Sequence, residues 1–212
     1  MLLQLLNEKE VEFCVSDWNV SEDGAKSQPL SDQIKIKQNS ETPEISDEVR
    51  KFISEKIYNN HFVNSVIGPN KLSVSYLNEY VEGDYYLKHV DAFKAKPASA
   101  NVFFDYGYSI VLDDDYEGGE FILDTDVVEV SYTIKKGQIL IFPIIHPHSV
   151  NKVTLGSRKA IIGWMSSNIN YERSHILKQV YHLCANAISL KDSDLIVKST
   201  IIQNYLLKEW SK

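Results

Sequence analysis

The sequence has few cysteines and no long hydrophobic run. Cys14 and Cys184 are its two cysteines. They lie too far apart in the chain to suggest a paired metal motif or a disulfide framework, which favours a reducing compartment such as the cytoplasm. No apolar stretch approaches the roughly 20 residues that cross a bilayer. The apolar start of the chain is short and is followed at once by acidic residues, so we expect neither a membrane protein nor an exported one.

Positive charge is also scarce. The chain carries 22 basic and 29 acidic residues, a formal net charge of −7, without a basic stripe. This balance argues against binding of a nucleic-acid backbone. Only three of the basic residues are arginines, at positions 50, 158 and 173. Because a guanidinium binds a planar carboxylate through two parallel hydrogen bonds, the position of each arginine is informative.

The size and composition of the chain suit one globular domain: 212 residues, 43% hydrophobic and 24% charged. Residues 20–45 are polar and favour an irregular loop with one short strand at Ile34–Lys37. The spacing of apolar residues elsewhere predicts helices. Two helices begin after Asn7, with a capping-box pattern to Glu10, and near Ser46. Two more helices cover Ile176 to Ala185 and about Leu195 to Trp210.

The segment between Lys71 and Ser166 has the pattern of strands. Short runs of Val, Ile, Tyr and Phe separated by turn residues predict about eight strands, the number in a double-sheet jelly roll or small barrel. They are 72–81, 85–91, 101–112, 119–124, 127–134, 138–142, 148–153 and 159–166. The predicted fold is mainly β with flanking helices (α+β), the helices packing on one face. We divide the single domain, 1–212, into helical support (1–70), a β core (71–166) and C-terminal helices (167–212).

A candidate metal site begins with His89 and Asp91, at the end of a predicted strand. Alternate side chains of a strand share a face, so both can reach one point. An imidazole and a carboxylate suit a divalent transition metal, although the same pair also fits a solvated strand end. A third ligand from a remote strand would complete a two-histidine, one-carboxylate triad, the arrangement used for ferrous oxygen chemistry. His146 and His148 share a strand face, and spacing alone excludes neither.

Arg158 favours His148 as the third ligand. It follows His148 by ten residues and begins an apolar strand. A buried guanidinium there needs an anionic partner. A dicarboxylate that binds the metal at one end would provide this partner at the other. The alternative is a salt-bridged core arginine.

With these residues, the sequence resembles the Fe(II)/2-oxoglutarate-dependent dioxygenases of the prolyl 4-hydroxylase group, and most of all the PKHD-type hydroxylases. The resemblance extends over nearly the whole chain. The motifs that carry it are Tyr80-x-x-Gly-x-x-Tyr86-x-x-His89-x-Asp91, Tyr116-Glu-Gly-Gly-Glu-Phe121, Gly137 to Pro143, His148-Ser-Val-x-x-Val-Thr-x-Gly-x-Arg158, Trp164-x-Ser-Ser167 and Asn204 to Ser211.

The resemblance implies a double-stranded β-helix in which His89, Asp91 and His148 bind iron. Arg158 would bind the distal carboxylate of 2-oxoglutarate, with Tyr80 beside it. The implied activity is hydroxylation by O2 of an unactivated C–H bond, in a prolyl or other residue of a peptide or protein or in a small molecule, with release of succinate and CO2. Ascorbate (vitamin C) would keep the iron reduced. Residues 92–100 are expected to form a short lid.

Two other functions suit the predicted core. One is a jelly-roll binding module that has kept the barrel without catalysis, because folds outlive functions. The other is a cupin-like enzyme that uses the metal without 2-oxoglutarate, for which Arg158 would be dispensable.

Overall fold

Two β-sheets and five α-helices make up the computed structural model, which describes residues 1–16, 18–20, 22–27, 36–42, 45–92, 102–125, 127–169 and 171–210. The strands are β1 (Leu2–Gln4), β2 (Glu22–Asp23), β3 (Lys37–Gln38), β4 (Ser40–Thr42), β5 (Pro69–Val81), β6 (Tyr85–His89), β7 (Tyr106–Val111), β8 (Tyr116–Gly118), β9 (Phe121–Asp124), β10 (Glu129–Tyr132), β11 (Gln138–Pro143), β12 (His148–Val150) and β13 (Val153–Ser167). The helices are α1 (Glu8–Val15), α2 (Asp47–Asn59), α3 (His61–Val66), α4 (Tyr171–Ser189) and α5 (Ser193–Trp210), and Gly24–Ser27 form a short 3-10 helix.

The strands pair antiparallel in both sheets. The larger sheet has the order β1-β11-β7-β13-β5-β4-β2, and β8 also pairs with β13. The smaller sheet has the order β10-β9-β12-β6-β3. Neighbours in these sheets come from remote parts of the chain, as in β12, which pairs with both β6 and β9.

Alternate residues of the central strands enter two separate hydrophobic cores. On β11, Ile139 and Ile141 face a core shared with α1, α2 and α3, whereas Leu140 and Phe142 face a core between the two sheets. This division follows from the period of two in a strand. Helix α4 packs on α3, and α5 packs on α4. The sequence prediction of a jelly roll with helices on one face is confirmed.

Helix ends follow the capping signals in the sequence. The predicted capping box is present, because the Asn7 side chain accepts from the Glu10 amide and Glu10 accepts from the Asn7 amide. The Ser46 side chain caps α2 by accepting from the Val49 amide. Asn60 ends α2 and caps α3, a helix that the sequence analysis did not predict. Within the described residues, no helix has the length and apolar character needed to span a membrane.

Several strand boundaries differ from prediction, although the described residues between 71 and 166 form nine strands, close to the eight expected there. The predicted strand 148–153 ends at Val150, and the next strand begins at Val153 instead of residue 159. Gly156, with φ of +77°, allows the early part of β13 to pair with β8 before the strand joins the larger sheet. The predicted strand 101–112 is regular only from Tyr106. Residues 34–35 of the predicted short strand and 93–100 of the predicted lid lie outside the described residues.

A buried ion pair marks the point where the chain passes from one sheet to the other. Lys37 lies in β3, which pairs with β6, and Glu41 lies in β4, which pairs with β5. The Lys37 Nζ is 2.6 Å from the Glu41 carboxylate, and the two side chains are 3% and 6% exposed. The Lys37 ammonium also lies 5.0 Å from the centre of the Tyr86 ring. The ion pair therefore links the two sheets and contacts Tyr86, which lines the pocket described next.

Candidate active site

His89, Asp91 and His148 form one cluster. His148 on β12 is directly opposite His89 on β6 in the antiparallel register, and Asp91 lies two residues beyond the end of β6. The Asp91 oxygens are 3.7 Å from His89 Nε2 and 3.6 Å from His148 Nε2. Such separations are too long for hydrogen bonds. One ligand atom from each residue lies within 4.8 Å of the others, so the three surround a point that a metal ion could occupy.

Hydrogen bonds to the backbone fix which nitrogen of each imidazole carries the proton. His89 Nδ1–H donates to the Leu87 carbonyl at 2.8 Å, and His148 Nδ1–H donates to the His146 carbonyl at 3.1 Å. Each Nε2 therefore keeps its lone pair for a metal. Burial, and next the neighbouring His148, lowers the pKa of His89 below its ordinary value, which favours the neutral ligand form.

Aromatic rings cover both histidines. Tyr86 stacks on His89 with ring centres 3.6 Å apart and an angle of 13° between planes. Phe121 stacks on His148 at 5.3 Å and 14°, and Phe142 packs against the same ring at 4.6 Å. These contacts restrict the rotation of both imidazoles and keep water from their faces.

The Asp91 carboxylate has a partner that the sequence analysis did not assign. Trp164 Nε1 donates a hydrogen bond of 2.8 Å to Asp91 Oδ2, across 73 positions of the chain. Trp164 was noted in the sequence as part of a family motif without a role. The spacing on β13 was the signal that could have placed Trp164 in the site. Residues 158 and 164 are an even number apart, so they share a face of the strand.

Arg158 is buried and lacks a full set of partners. The residue is 2% exposed, and among the described residues its Nε and Nη2 have no hydrogen-bond partner. Arg158 lies opposite Tyr80 in the β13–β5 register, with the guanidinium carbon 5.7 Å from the centre of the Tyr80 ring. The Tyr116 hydroxyl oxygen accepts a hydrogen bond from Arg158, and its own proton is donated to the Ile134 carbonyl. Two buried N–H groups without acceptors indicate that an anion belongs here.

The triad and the arginine line the same pocket between the sheets, together with Tyr80, Asn78 and Ser109. Burial raises the pKa of Tyr80 above its ordinary value, so its hydroxyl remains a hydrogen-bond donor. The residues to which the resemblance gave a role, His89, Asp91, His148, Arg158 and Tyr80, therefore line one pocket.

The other histidines lie elsewhere. His146 is buried in the turn before β12, and among the described residues it is not part of the cluster. The remaining three histidines, His61, His175 and His182, lie in α3 and α4.

Comparison with known proteins identifies the class of enzyme that this chain resembles. A sequence model of the 2OG-Fe(II) oxygenase superfamily matches residues 75–166, the segment that carries the triad and Arg158. A prolyl hydroxylase from Trichoplax adhaerens, solved in complex with a peptide fragment of the hypoxia inducible factor oxygen degradation domain, has a similar fold. That similarity has a TM-score of 0.57 at 17% identity and covers 84% of this chain and 86% of that chain.

Curated relatives give the particular family. A PKHD-type hydroxylase of Idiomarina loihiensis is 31% identical over 169 residues, which cover 78% of this chain and 76% of the relative. Another, from Prochlorococcus marinus strain MIT 9301, is 27% identical and covers 94% of both chains. The chain belongs to the 2OG-Fe(II) oxygenase superfamily, among the PKHD-type hydroxylases. It is therefore an enzyme, an oxidoreductase of the 2-oxoglutarate-dependent oxygenase class, and membership disfavours the non-catalytic binding module.

The residues present fit the two groups that this family implies, Fe(II) and 2-oxoglutarate. Two imidazoles and one carboxylate converge on a single point, and this donor set suits ferrous iron while leaving positions open. The buried, unpartnered Nε and Nη2 of Arg158 fit the far carboxylate of a dicarboxylic acid. Both features lie in one pocket.

Proposed function

We propose that the protein hydroxylates an unactivated C–H bond of a prolyl or other residue in a peptide or protein, converting 2-oxoglutarate to succinate and CO2. The observation that carries this proposal is the buried Arg158, which has two N–H donors without acceptors in the pocket that holds the triad. A metal enzyme without an anionic co-substrate would leave these two guanidinium nitrogens buried without acceptors, which is costly.

Each residue has a role in the proposal. His89, Asp91 and His148 hold the metal through Nε2, a carboxylate oxygen and Nε2. When bound, ferrous iron would couple oxygen activation to decarboxylation of the co-substrate. Arg158 binds the distal carboxylate through charge-assisted hydrogen bonds, and the protonated Tyr80 hydroxyl lies beside it to donate another.

The aromatic rings around the two histidines also support metal binding at this site. The faces of both imidazoles are covered by Tyr86, Phe121 and Phe142, so water has little access to the metal from the side of the protein. The open side of the triad remains for co-substrate and oxygen. A substrate C–H bond would therefore have to approach through this pocket, which Trp164 also lines.

The proposed reaction requires iron in its reduced state. We propose that ascorbate sustains activity by returning over-oxidised iron to the ferrous state. The two cysteines are both free thiols in the structure, which suits a reducing compartment such as the cytoplasm.

The test is production of succinate from 2-oxoglutarate by the purified chain with Fe(II), with and without ascorbate, against a panel of prolyl-containing and proline-free peptides. We expect iron-dependent succinate formation that rises with the correct peptide, together with a mass gain of one oxygen in that peptide. Succinate formation that never depends on iron or on any peptide would contradict the proposal. Product from an added small molecule alone would move the substrate from peptides to small molecules.

A further inference from the structure

The orientation of the Asp91 carboxylate depends on groups outside its own strand. Asp91 lies two residues beyond the end of β6, so strand pairing does not fix it. Its oxygens are too far from His89 and His148 to hydrogen-bond with them. In the part of the chain that the structure describes, Trp164 is the one hydrogen-bond donor to this carboxylate.

The Trp164 indole is itself held firmly. Its strand, β13, is paired on both sides, opposite β5 and β7. The indole packs edge-on against Tyr76, with ring centres 5.9 Å apart and an angle of 89°, and it lies 6.3 Å from the Phe104 ring. An indole N–H donates and does not accept, so it can orient a carboxylate without competing for a metal.

We propose that Trp164 is a positioning residue, which holds Asp91 in the orientation that binds the metal. The inference rests on the proposed function in taking Asp91 as a ligand. Without the N–H group the Asp91 carboxylate can rotate. Metal binding must then also fix its orientation, which lowers the metal affinity. Because Trp164 and Arg158 share one face of β13, a single strand orients the metal ligand and presents the co-substrate arginine.

The test measures metal affinity instead of turnover. Mn(II) is titrated calorimetrically into the metal-free full-length chain, with Trp164→Phe as the variant. Phenylalanine keeps a ring in place and removes the donor. We expect the dissociation constant for Mn(II) to rise about 10- to 100-fold, the usual effect of losing a partner that orients a ligand. The KM for 2-oxoglutarate at saturating metal should stay near that of the wild type.

The matched control is Trp18→Phe. Trp18 also donates its indole N–H to a carboxylate, that of Glu79 at 3.4 Å, but away from the pocket. This change should leave the Mn(II) affinity unaltered. If Trp164→Phe lowers the melting temperature of the metal-free protein, Trp164→3-benzothienylalanine, which replaces only the N–H by sulfur, gives the deciding titration.

The outcomes separate the two proposals. An Mn(II) affinity within about threefold of wild type for both Trp164 variants would overturn the positioning role. So would a wild-type chain that fails to bind Mn(II). A wild type that binds Mn(II) tightly but forms no succinate would contradict the proposed function, and the positioning role would still be decided by the dissociation constants.

Discussion

Gly119 lies directly against the aliphatic part of Arg158. A Cβ added at Gly119 would be 3.0 Å from Arg158 Cδ and 3.1 Å from Val153 Cγ2. Gly119 also has φ of +65°, in the left-handed region that other residues adopt at a cost. The turn before β9 is therefore both a backbone requirement and one wall of the arginine's site.

Gly119→Ala should disturb the co-substrate site more than the metal site. The new methyl group must displace Arg158 or its neighbour, so we expect a several-fold higher KM for 2-oxoglutarate with unchanged Mn(II) affinity. The control is Gly83→Ala, where φ is +93° and no atom lies within 4 Å of the added Cβ. Both changes carry a backbone penalty of roughly 1–2 kcal/mol. Equal KM values in the two variants would show that contact with Arg158 is unimportant.

Arg158→Ala should weaken 2-oxoglutarate binding and leave the metal in place. Hydrogen bonds to charged groups contribute about 1.5–3 kcal/mol, which corresponds to roughly a 10- to 150-fold rise in KM. Steady-state succinate formation at saturating Fe(II) gives this value. Arg50→Ala is the control, since Arg50 is a surface residue paired with Asp47 on α2. An unchanged KM in the Arg158 variant would show that 2-oxoglutarate binds without Arg158, whereas no succinate from either form would favour the cupin-like enzyme that does not use 2-oxoglutarate.

His148→Ala should abolish metal binding, whereas His146→Ala should preserve it. The His148 imidazole belongs to the cluster, while His146 contributes its backbone carbonyl, which alanine retains. Loss of a ligand should cost more than the 10- to 100-fold typical of an outer partner, so we expect an affinity reduced by more than about 100-fold. Calorimetric titration with Mn(II) measures both variants. The reverse result would make His146 the ligand.

Glu41→Gln should destabilise the fold substantially. It removes the negative charge that lies 2.6 Å from the Lys37 ammonium, a buried contact at the corner between the sheets. Removing one partner of a buried ion pair costs about 3–5 kcal/mol, whereas exposed pairs contribute about 0–1 kcal/mol. Urea unfolding compares this variant with Asp194→Asn, which breaks the exposed Asp194–Lys198 pair. Similar unfolding free energies would show that the corner tolerates the loss of the Glu41 charge.

The two thiols should react at very different rates. Burial, and next the charge of Glu10, raises the pKa of Cys14 to about 12, and the residue is 2% exposed. The thiolate is the reactive form, so Cys14 should stay unmodified at pH 8. Ellman's reagent should label one thiol, Cys184, in the folded chain and two in urea. Rapid labelling of both thiols without denaturant would contradict this.

The site was more predictable than the boundaries of the strands around it. The period of two in a strand predicted the His89 and Asp91 pair, although β6 ends at His89, and Arg158 stands out because arginine is rare in this chain. Spacing places Trp164 on the same face of β13 as Arg158, but its contact with Asp91 depends on how two sheets place residues 73 positions apart. Helix α3 was missed because Asn60, which ends one helix, immediately caps the next. Short strands such as β1 are set by their partner strand and have little pattern of their own.

His89 and His148, 59 positions apart in the chain, face each other across two adjacent strands. An ion held by both would act as a removable cross-link that closes the polypeptide between them. An unfolded chain cannot present these ligands together. The ion therefore binds the folded state and stabilises it relative to the unfolded state. The melting temperature should therefore climb with the free concentration of the ion, as RT ln(1 + [L]/Kd) requires, and the loaded protein should resist proteases that cut the empty one.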